Sequence, residues 1–213
     1  MTEKNVEAIV AGGSPVRVMD GVDEHLVERR IRSELVYEGH CRQVRRDEIR
    51  LPSGKTAQRE HVVHPGAVMI VPMTDDGQLV VERQHRYPLD HVLLEFPAGK
   101  LDPDETTLHC AQRELHEETG YRAREWAYAG RLHNAPAYSN EFIEIWLARG
   151  LVAGAQALDD GEFIEVRTMS EAALLAQAAS GELTDAKTLI GLLWLQNWRA
   201  GRWPLDWGPA PSA

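Results

Sequence analysis

Between residues 99 and 121 the chain reads GKLDPDETTLHCAQRELHEETGY, and no other stretch constrains the fold as strongly. Glu114, Glu117 and Glu118 stand at i, i+3 and i+4, spacings that share one face of an α-helix. Like charges so placed repel each other, so three acids on one face suit a cation. Carboxylate oxygens select a hard divalent ion, Mg²⁺ or Mn²⁺, over zinc. The flanking residues predict the helix itself. Asp102 is the expected N-cap, Pro103 the first helical residue and Glu105 the far end of a D-x-x-E capping box. Leu108, Ala111 and Leu115 make a narrow apolar stripe for the core, and Gly120 supplies the stop. Arg113, four residues before Glu117, is placed to orient that acid. The plain alternative is a solvated acidic face with one ion pair. It accounts for the charges but not for the fixed spacing or for the Pro97-Ala98-Gly99 lead-in.

Gly99, Glu105 and the run Arg113-Glu114-Leu115-His116-Glu117-Glu118-Thr119-Gly120-Tyr121 fill every fixed position of the Nudix box, G-x5-E-x7-R-E-U-x-E-E-x-G-U. Tyr121 is bulky where an aliphatic residue is usual. The chain therefore resembles the Nudix family. That resemblance implies an α+β fold, an α/β/α sandwich with a mixed sheet, in which the box binds divalent metal. It also implies hydrolysis of a nucleoside diphosphate linked to another moiety. Glu114, Glu117, Glu118 and the Ala98 carbonyl would be the metal ligands, with Arg113 and Glu105 in support.

A chain of 213 residues can bury a full core, and its net charge of −10 argues against a nucleic-acid partner. Cys41 and Cys110 give neither a disulfide framework nor zinc spacing, so a reducing cytoplasm is expected. Cys110 reads as a small packed thiol. No signal peptide or long apolar run calls for a membrane. Gly12-Gly13-Ser14-Pro15 reads as a turn without the Lys-Ser/Thr of a phosphate loop. Residues 33–64 alternate like strands around a turn at Pro52-Ser53-Gly54, and residues 67–72 form an apolar run suited to a buried strand. Asp76-Gly77 predicts a hairpin from that strand into residues 78–83. Strands are expected over 126–132, 142–147 and 163–168, with helices from Ser170 and from Asp185, the latter carrying Leu189, Ile190, Leu192, Leu193 and Leu195. The Trp- and Pro-rich tail reads as irregular. The expected division is an N-terminal antiparallel β extension over 1–57, a hydrolase domain over 58–199 and a tail over 200–213.

Features outside the box resemble the ADP-ribose pyrophosphatase branch of the family. Pro136 lies sixteen residues after Gly120, in the context Ala135-Pro136-Ala137-Tyr138-Ser139-Asn140-Glu141, with Ala137 for the usual glycine. Glu82-Arg83-Gln84-His85-Arg86-Tyr87 resembles the strand that carries a substrate-binding arginine, here Arg86. Residues 181–188, GELTDAKT, resemble a helix start of the same branch. The implied substrate is a nucleoside diphosphate sugar, ADP-ribose first and GDP-mannose as the alternative. Arg59 and Arg86 are candidates for phosphate or ribose oxygens, since guanidinium groups hold them bidentately. Tyr87 or Tyr138 could stack on the base, and Pro136 and Glu141 would belong to the substrate loop. His85, His91, His109, His116 and His133 lack a paired ligand pattern and read as structural or surface residues.

Hydrolysis also needs a group to prepare water for attack on phosphorus. The branch commonly uses a glutamate in the loop before the last strand, which assigns the role to Glu162, with Glu141 as the alternative. The implied mechanism has two or three Mg²⁺ ions, with Mn²⁺ as substitute, clamping the pyrophosphate for in-line attack. The resemblance further implies a homodimer through the N-terminal strands. A ligand sensor that binds without cleaving is the rival from another class, disfavoured because every box acid is present.

Overall fold

The computed structural model describes residues 23–39 and 42–210. Cys41 and the turn at Gly12-Gly13-Ser14-Pro15 lie outside the described residues. Three antiparallel strands come first, β1 (Arg29–Glu38), β2 (Gln43–Arg50) and β3 (Thr56–Val63), paired in that order. The turn between β2 and β3 falls at Pro52-Ser53-Gly54 as expected, closed by the Leu51 N–H on the Lys55 carbonyl at 2.8 Å. Every residue of β1 but Ser33 is exposed in the single chain, including Ile31, Leu35 and Tyr37.

The remaining elements are β4 (Ala67–Pro72), β5 (Leu79–Arg86), β6 (His91–Glu95), β7 (Ala98–Lys100), α1 (Thr107–Thr119), β8 (Arg122–Leu132), β9 (Ile143–Val152), β10 (Ile164–Met169), α2 (Glu171–Ser180), α3 (Ala186–Arg199) and β11 (Trp207–Pro209). Five strands make a mixed sheet in the order β11-β8-β9-β4-β7, in which only the β4–β9 pair is parallel. The apolar run of β4 is buried throughout because it feeds two cores. Val68 and Ile70 meet Ala111 and Leu115 of α1, while Met69 and Val71 meet Leu192 and Leu195 on the opposite side. Alternation along a strand thus places α1 and α3 on the two faces of the sheet, the expected α/β/α sandwich. Each such buried aliphatic side chain contributes about 1.5–3 kcal/mol. Within α1, the stripe of Leu108, Ala111 and Leu115 faces the core, and Cys110 is a packed thiol whose ionisation burial opposes. No helix among the described residues is long and apolar enough to cross a membrane.

Three local expectations fail, each for a physical reason. β4 and β5 do not form a hairpin across Asp76-Gly77, because β9 and β7 already occupy both edges of β4. After a single bridge between Met73 and Leu79, β5 joins a separate sheet in the order β10-β5-β6. The tail is not wholly irregular. Trp207 packs under Arg149 at 4.1 Å and against Trp198, and β11 pairs with β8. Finally, α1 starts a turn later than Pro103. Asp104 adopts a left-handed φ of 62°, which interrupts a helix there, and Thr106 is the N-cap, accepting from the His109 N–H at 3.3 Å. The Glu105 carboxylate does accept from the Asp102 N–H at 3.1 Å, but that contact closes a turn ahead of the helix.

Ser170 and Asp185 cap α2 and α3 as expected. Gly120 ends α1 with a φ of 76°, and its N–H reaches the His116 carbonyl at 2.8 Å. A Cβ at this position would lie 2.5 Å from the Gly154 carbonyl oxygen. Gly120→Ala is therefore expected to cost about 1–2 kcal/mol through the left-handed backbone, with the clash adding to it. Thermal denaturation should show a Tm lowered by at least about 3 °C.

Candidate active site

β7 at the edge of the mixed sheet runs into the residues ahead of α1, and together they set the box against the ends of β5 and β6. A cleft of about 670 Å³ opens there. Ala98, Glu114, Glu117, Glu118, Arg113 and Glu162 all line it. Gly99 makes the fit possible, since a Cβ there would overlap the Glu114 carboxylate.

Arg113 organises the acids. Its Nη1 donates to Glu114 at 2.8 Å and to Glu117 at 3.0 Å, while Nε and Nη2 grip Glu105 at 3.0 and 2.9 Å. Nη2 also reaches the Lys100 carbonyl at 3.0 Å, which ties the helix to β7. The hydrogen bonds from Arg113 hold the Glu105 carboxyl below the usual glutamate range. Glu114 behaves differently: burial pushes its carboxyl up to about 7 despite Arg113 beside it. Glu118 is 4% exposed and accepts from the Ala98 N–H at 3.0 Å. Burial, with the Glu82 and Glu114 charges nearby, holds its carboxyl well above the usual range.

The donor set fits a hard divalent cation. Its side chains offer oxygen only, and the three box acids with Glu105 outnumber the single guanidinium among them. No three His, Cys, Asp or Glu side chains among the described residues already converge as a cage. Arg113 draws Glu114 and Glu117 to itself, and Glu118 is engaged with the Ala98 backbone.

The opposite wall belongs to β5, β6 and the start of α3. Arg86 lines the cleft, and its Nε and Nη2 form a two-pronged pair with Glu95, both bonds 2.7 Å. Lys187 also bonds Glu95 and lies 3.1 Å from Asp185. Burial works against the Glu95 charge, yet Arg86 and Lys187 prevail and its carboxyl stays below the usual range. Thr188 Oγ1 accepts from the Phe96 N–H at 2.8 Å and donates to Asp185 at 2.6 Å, anchoring the strand that leads into Ala98.

Glu162 and Glu141 also face the cleft. Glu162 sits half-buried in the loop before β10, near enough for its charge to raise the carboxyls of Glu114 and Glu118. Glu141 lies 3.5 Å from Nε2 of His64. The Gly66 N–H donates to Nδ1 of that ring at 3.1 Å, so the proton resides on Nε2 and points to Glu141. Burial holds His64 below its usual value, so a neutral ring makes this contact.

Arg59, Tyr87 and Pro136 do not line the cleft. Arg59 pairs instead with Glu28, at 3.0 and 2.5 Å, and Tyr87 and Pro136 are exposed. Residues that the sequence reading did not assign to the site take part: Arg42, His64, Glu95, Asp185 and Lys187 all line it. Asp185 and Lys187 were signalled by the GELTDAKT stretch. Nothing local singled out Glu95 or His64.

A family model described as the NUDIX domain matches residues 63–190. The chain belongs to the Nudix family. An ADP-ribose pyrophosphatase of Bacillus subtilis is 35% identical over 173 residues, covering 80% of this chain and 94% of that protein. A methanol dehydrogenase activator of Bacillus methanolicus is 33% identical over 171 residues, covering 79% and 92%. The crystal structure of an ADP compounds hydrolase superposes with a TM-score of 0.75, covering 83% of this chain and 97% of that one. At 24% identity that likeness speaks for the fold alone.

Proposed function

We propose that this Nudix protein hydrolyses the pyrophosphate bond of ADP-ribose, or of a related nucleoside diphosphate sugar, to AMP and ribose 5-phosphate in a Mg²⁺-dependent reaction, with Mn²⁺ as substitute. The observation that carries the reading is the convergence of three box acids, Ala98 and Glu162 on a single cleft. Glu114, Glu117, Glu118 and the Ala98 carbonyl would hold the metal. When bound, the ion supplies positive charge against the phosphoryl oxygens and makes water more acidic.

The chain's own residues then have distinct tasks. Arg113 fixes Glu114 and Glu117 in position. Glu162 takes the proton of the attacking water, whose oxygen bonds to one phosphorus as the bond from that phosphorus to the bridging oxygen breaks, and the bridging oxygen leaves with the other phosphate. Arg86, held by Glu95 through Nε and Nη2, keeps Nη1 for a substrate oxygen. Glu141, oriented by His64, serves a substrate hydroxyl, and Tyr87 and Pro136 would meet only the parts of a substrate that project beyond the cleft. Arg59, tied to Glu28, is the weakest of the substrate candidates. The choice of ADP-ribose is supported by the matched Bacillus subtilis relative and by the branch-like stretches around Arg86, Pro136 and Asp185.

A homodimer through the N-terminal sheet goes with this reading. Ile31, Leu35, Val36 and Tyr37 of β1 are all exposed in the single chain. An edge strand with its apolar side chains in solvent gains little from pairing alone.

The experiment is Mg²⁺-dependent hydrolysis of ADP-ribose beside GDP-mannose, other nucleotide sugars and NADH, with products identified. Selective release of AMP and ribose 5-phosphate is the expected result. Preferential turnover of another substrate would overturn the substrate assignment and keep the chemistry.

A further inference from the structure

One acidic side chain beside the cleft has no role in the scheme above. Glu82 of β5 is 0% exposed, and neither of its carboxylate oxygens has a hydrogen-bond partner. A buried polar group without a partner is costly, so its retention in an otherwise apolar stretch, Leu79-Val80-Val81, calls for a compensating ligand. Side chains two apart share one face of a strand, so Glu82, Gln84 and Arg86 form a row. Gln84 and Arg86 line the cleft, which makes Glu82 the innermost member of that row. Its cross-strand neighbour is Glu95, a like charge placed directly opposite. Glu118 lies close enough for the Glu82 charge to raise its carboxyl.

The local charges do not balance. Glu82, Glu95, Glu118 and Asp185 are four acids, and Arg86 and Lys187 are two bases. Both bases are committed to Glu95, with Lys187 also near Asp185. Glu82 and Glu118 are thus left without a base, and a divalent cation would supply the missing counter-charge.

We propose that Glu82 is a further carboxylate of the divalent-cation site, reaching it from the sheet side behind Glu118. The proposal rests on the metal-dependent reading of the cleft. It takes a hard cation, Mg²⁺ or Mn²⁺, because oxygen is the only donor offered.

The test is direct Mn²⁺ binding to the full chain, followed by electron paramagnetic resonance of the free ion, for wild type, E82Q and E118Q. Cation-free thermal unfolding is measured in parallel. Glutamine keeps the size of the glutamate and removes only its charge, so a merely structural carboxyl would tolerate the exchange. The expected result is a Kd for Mn²⁺ raised at least about tenfold in E82Q, with the cation-free Tm unchanged or higher. Should E82Q not fold, E82L, which matches the apolar neighbours, gives the same readout. Affinity within about twofold of wild type in the folded variant would overturn the proposal, provided that E118Q has lost binding. If wild type binds no Mn²⁺, or E118Q binds as wild type does, the metal-dependent reading itself fails and the proposal falls with it.

Discussion

Replacing Glu117 with glutamine should lower Mg²⁺-dependent turnover by about 10²–10³-fold, the range seen when one group stabilising a transition state is removed. The amide keeps the shape of the side chain and can still accept from Arg113, but it removes the negative oxygen offered to a cation. Stability should change little. Glu117 is one of several acids on Arg113, which keeps Glu105 and Glu114 after the exchange. At its partly exposed position the lost ion pair is worth about 0–1 kcal/mol. Initial rates on ADP-ribose, run beside urea denaturation, separate the two effects. A folded E117Q that turns over at the wild-type rate would remove Glu117 from the machinery.

The largest loss of stability is expected at Glu95. Its side chain is 1% exposed and serves two cations, Arg86 and Lys187. Glu95→Gln leaves Arg86 without its counter-charge and Lys187 with Asp185 alone, and breaking a buried pair from one side costs about 3–5 kcal/mol. Urea unfolding at neutral pH measures it. The acid limb of the stability profile should change as well. In the folded chain the Glu95 carboxyl lies below its usual value of 4.5, as does that of Glu105. A depressed folded value means stability that is complete above the unfolded value and disappears as pH falls through the folded one. The wild-type protein should therefore weaken below about pH 4.5, and E95Q should show a shallower decline there. Equal stability of the two proteins at neutral pH would mean that Arg86 and Lys187 find other partners.

These expectations depend on features of unequal visibility in the sequence. The box was legible because its logic is local. Glu114, Glu117 and Glu118 share a face by spacing alone, and the Arg113 contacts to Glu114 and Glu117 lie one and four residues along the helix. Gly120 as the stop of α1 was legible for the same reason. The wall that carries Glu95 was not. Lys187 meets Glu95 across ninety-two residues, and no spacing rule spans that distance. Arg86 illustrates the cost of this blindness: its place at the cleft was readable, its engagement by Glu95 was not. The β4–β5 connection misled because a tight Asp-Gly turn looks the same whether the strands pair or part. Only the competition from β7 and β9 for the edges of β4 decides it. At the start of α1, Asp102 and Thr106 both offer a capping side chain. The left-handed Asp104 between them selects the second.

The grip of Arg113 has a consequence for how the protein endures dilution and chelators. One guanidinium already neutralises part of the acid cluster and bonds Glu105, Glu114, Glu117 and the Lys100 carbonyl. The loop and helix are thereby held together by covalently attached charge and do not depend on a diffusible one. Zinc fingers make the opposite arrangement, in which the empty chain unfolds. If the cleft takes a cation as proposed, folding and loading are separate events, and a chelator should abolish turnover while leaving the Tm within about 2 °C.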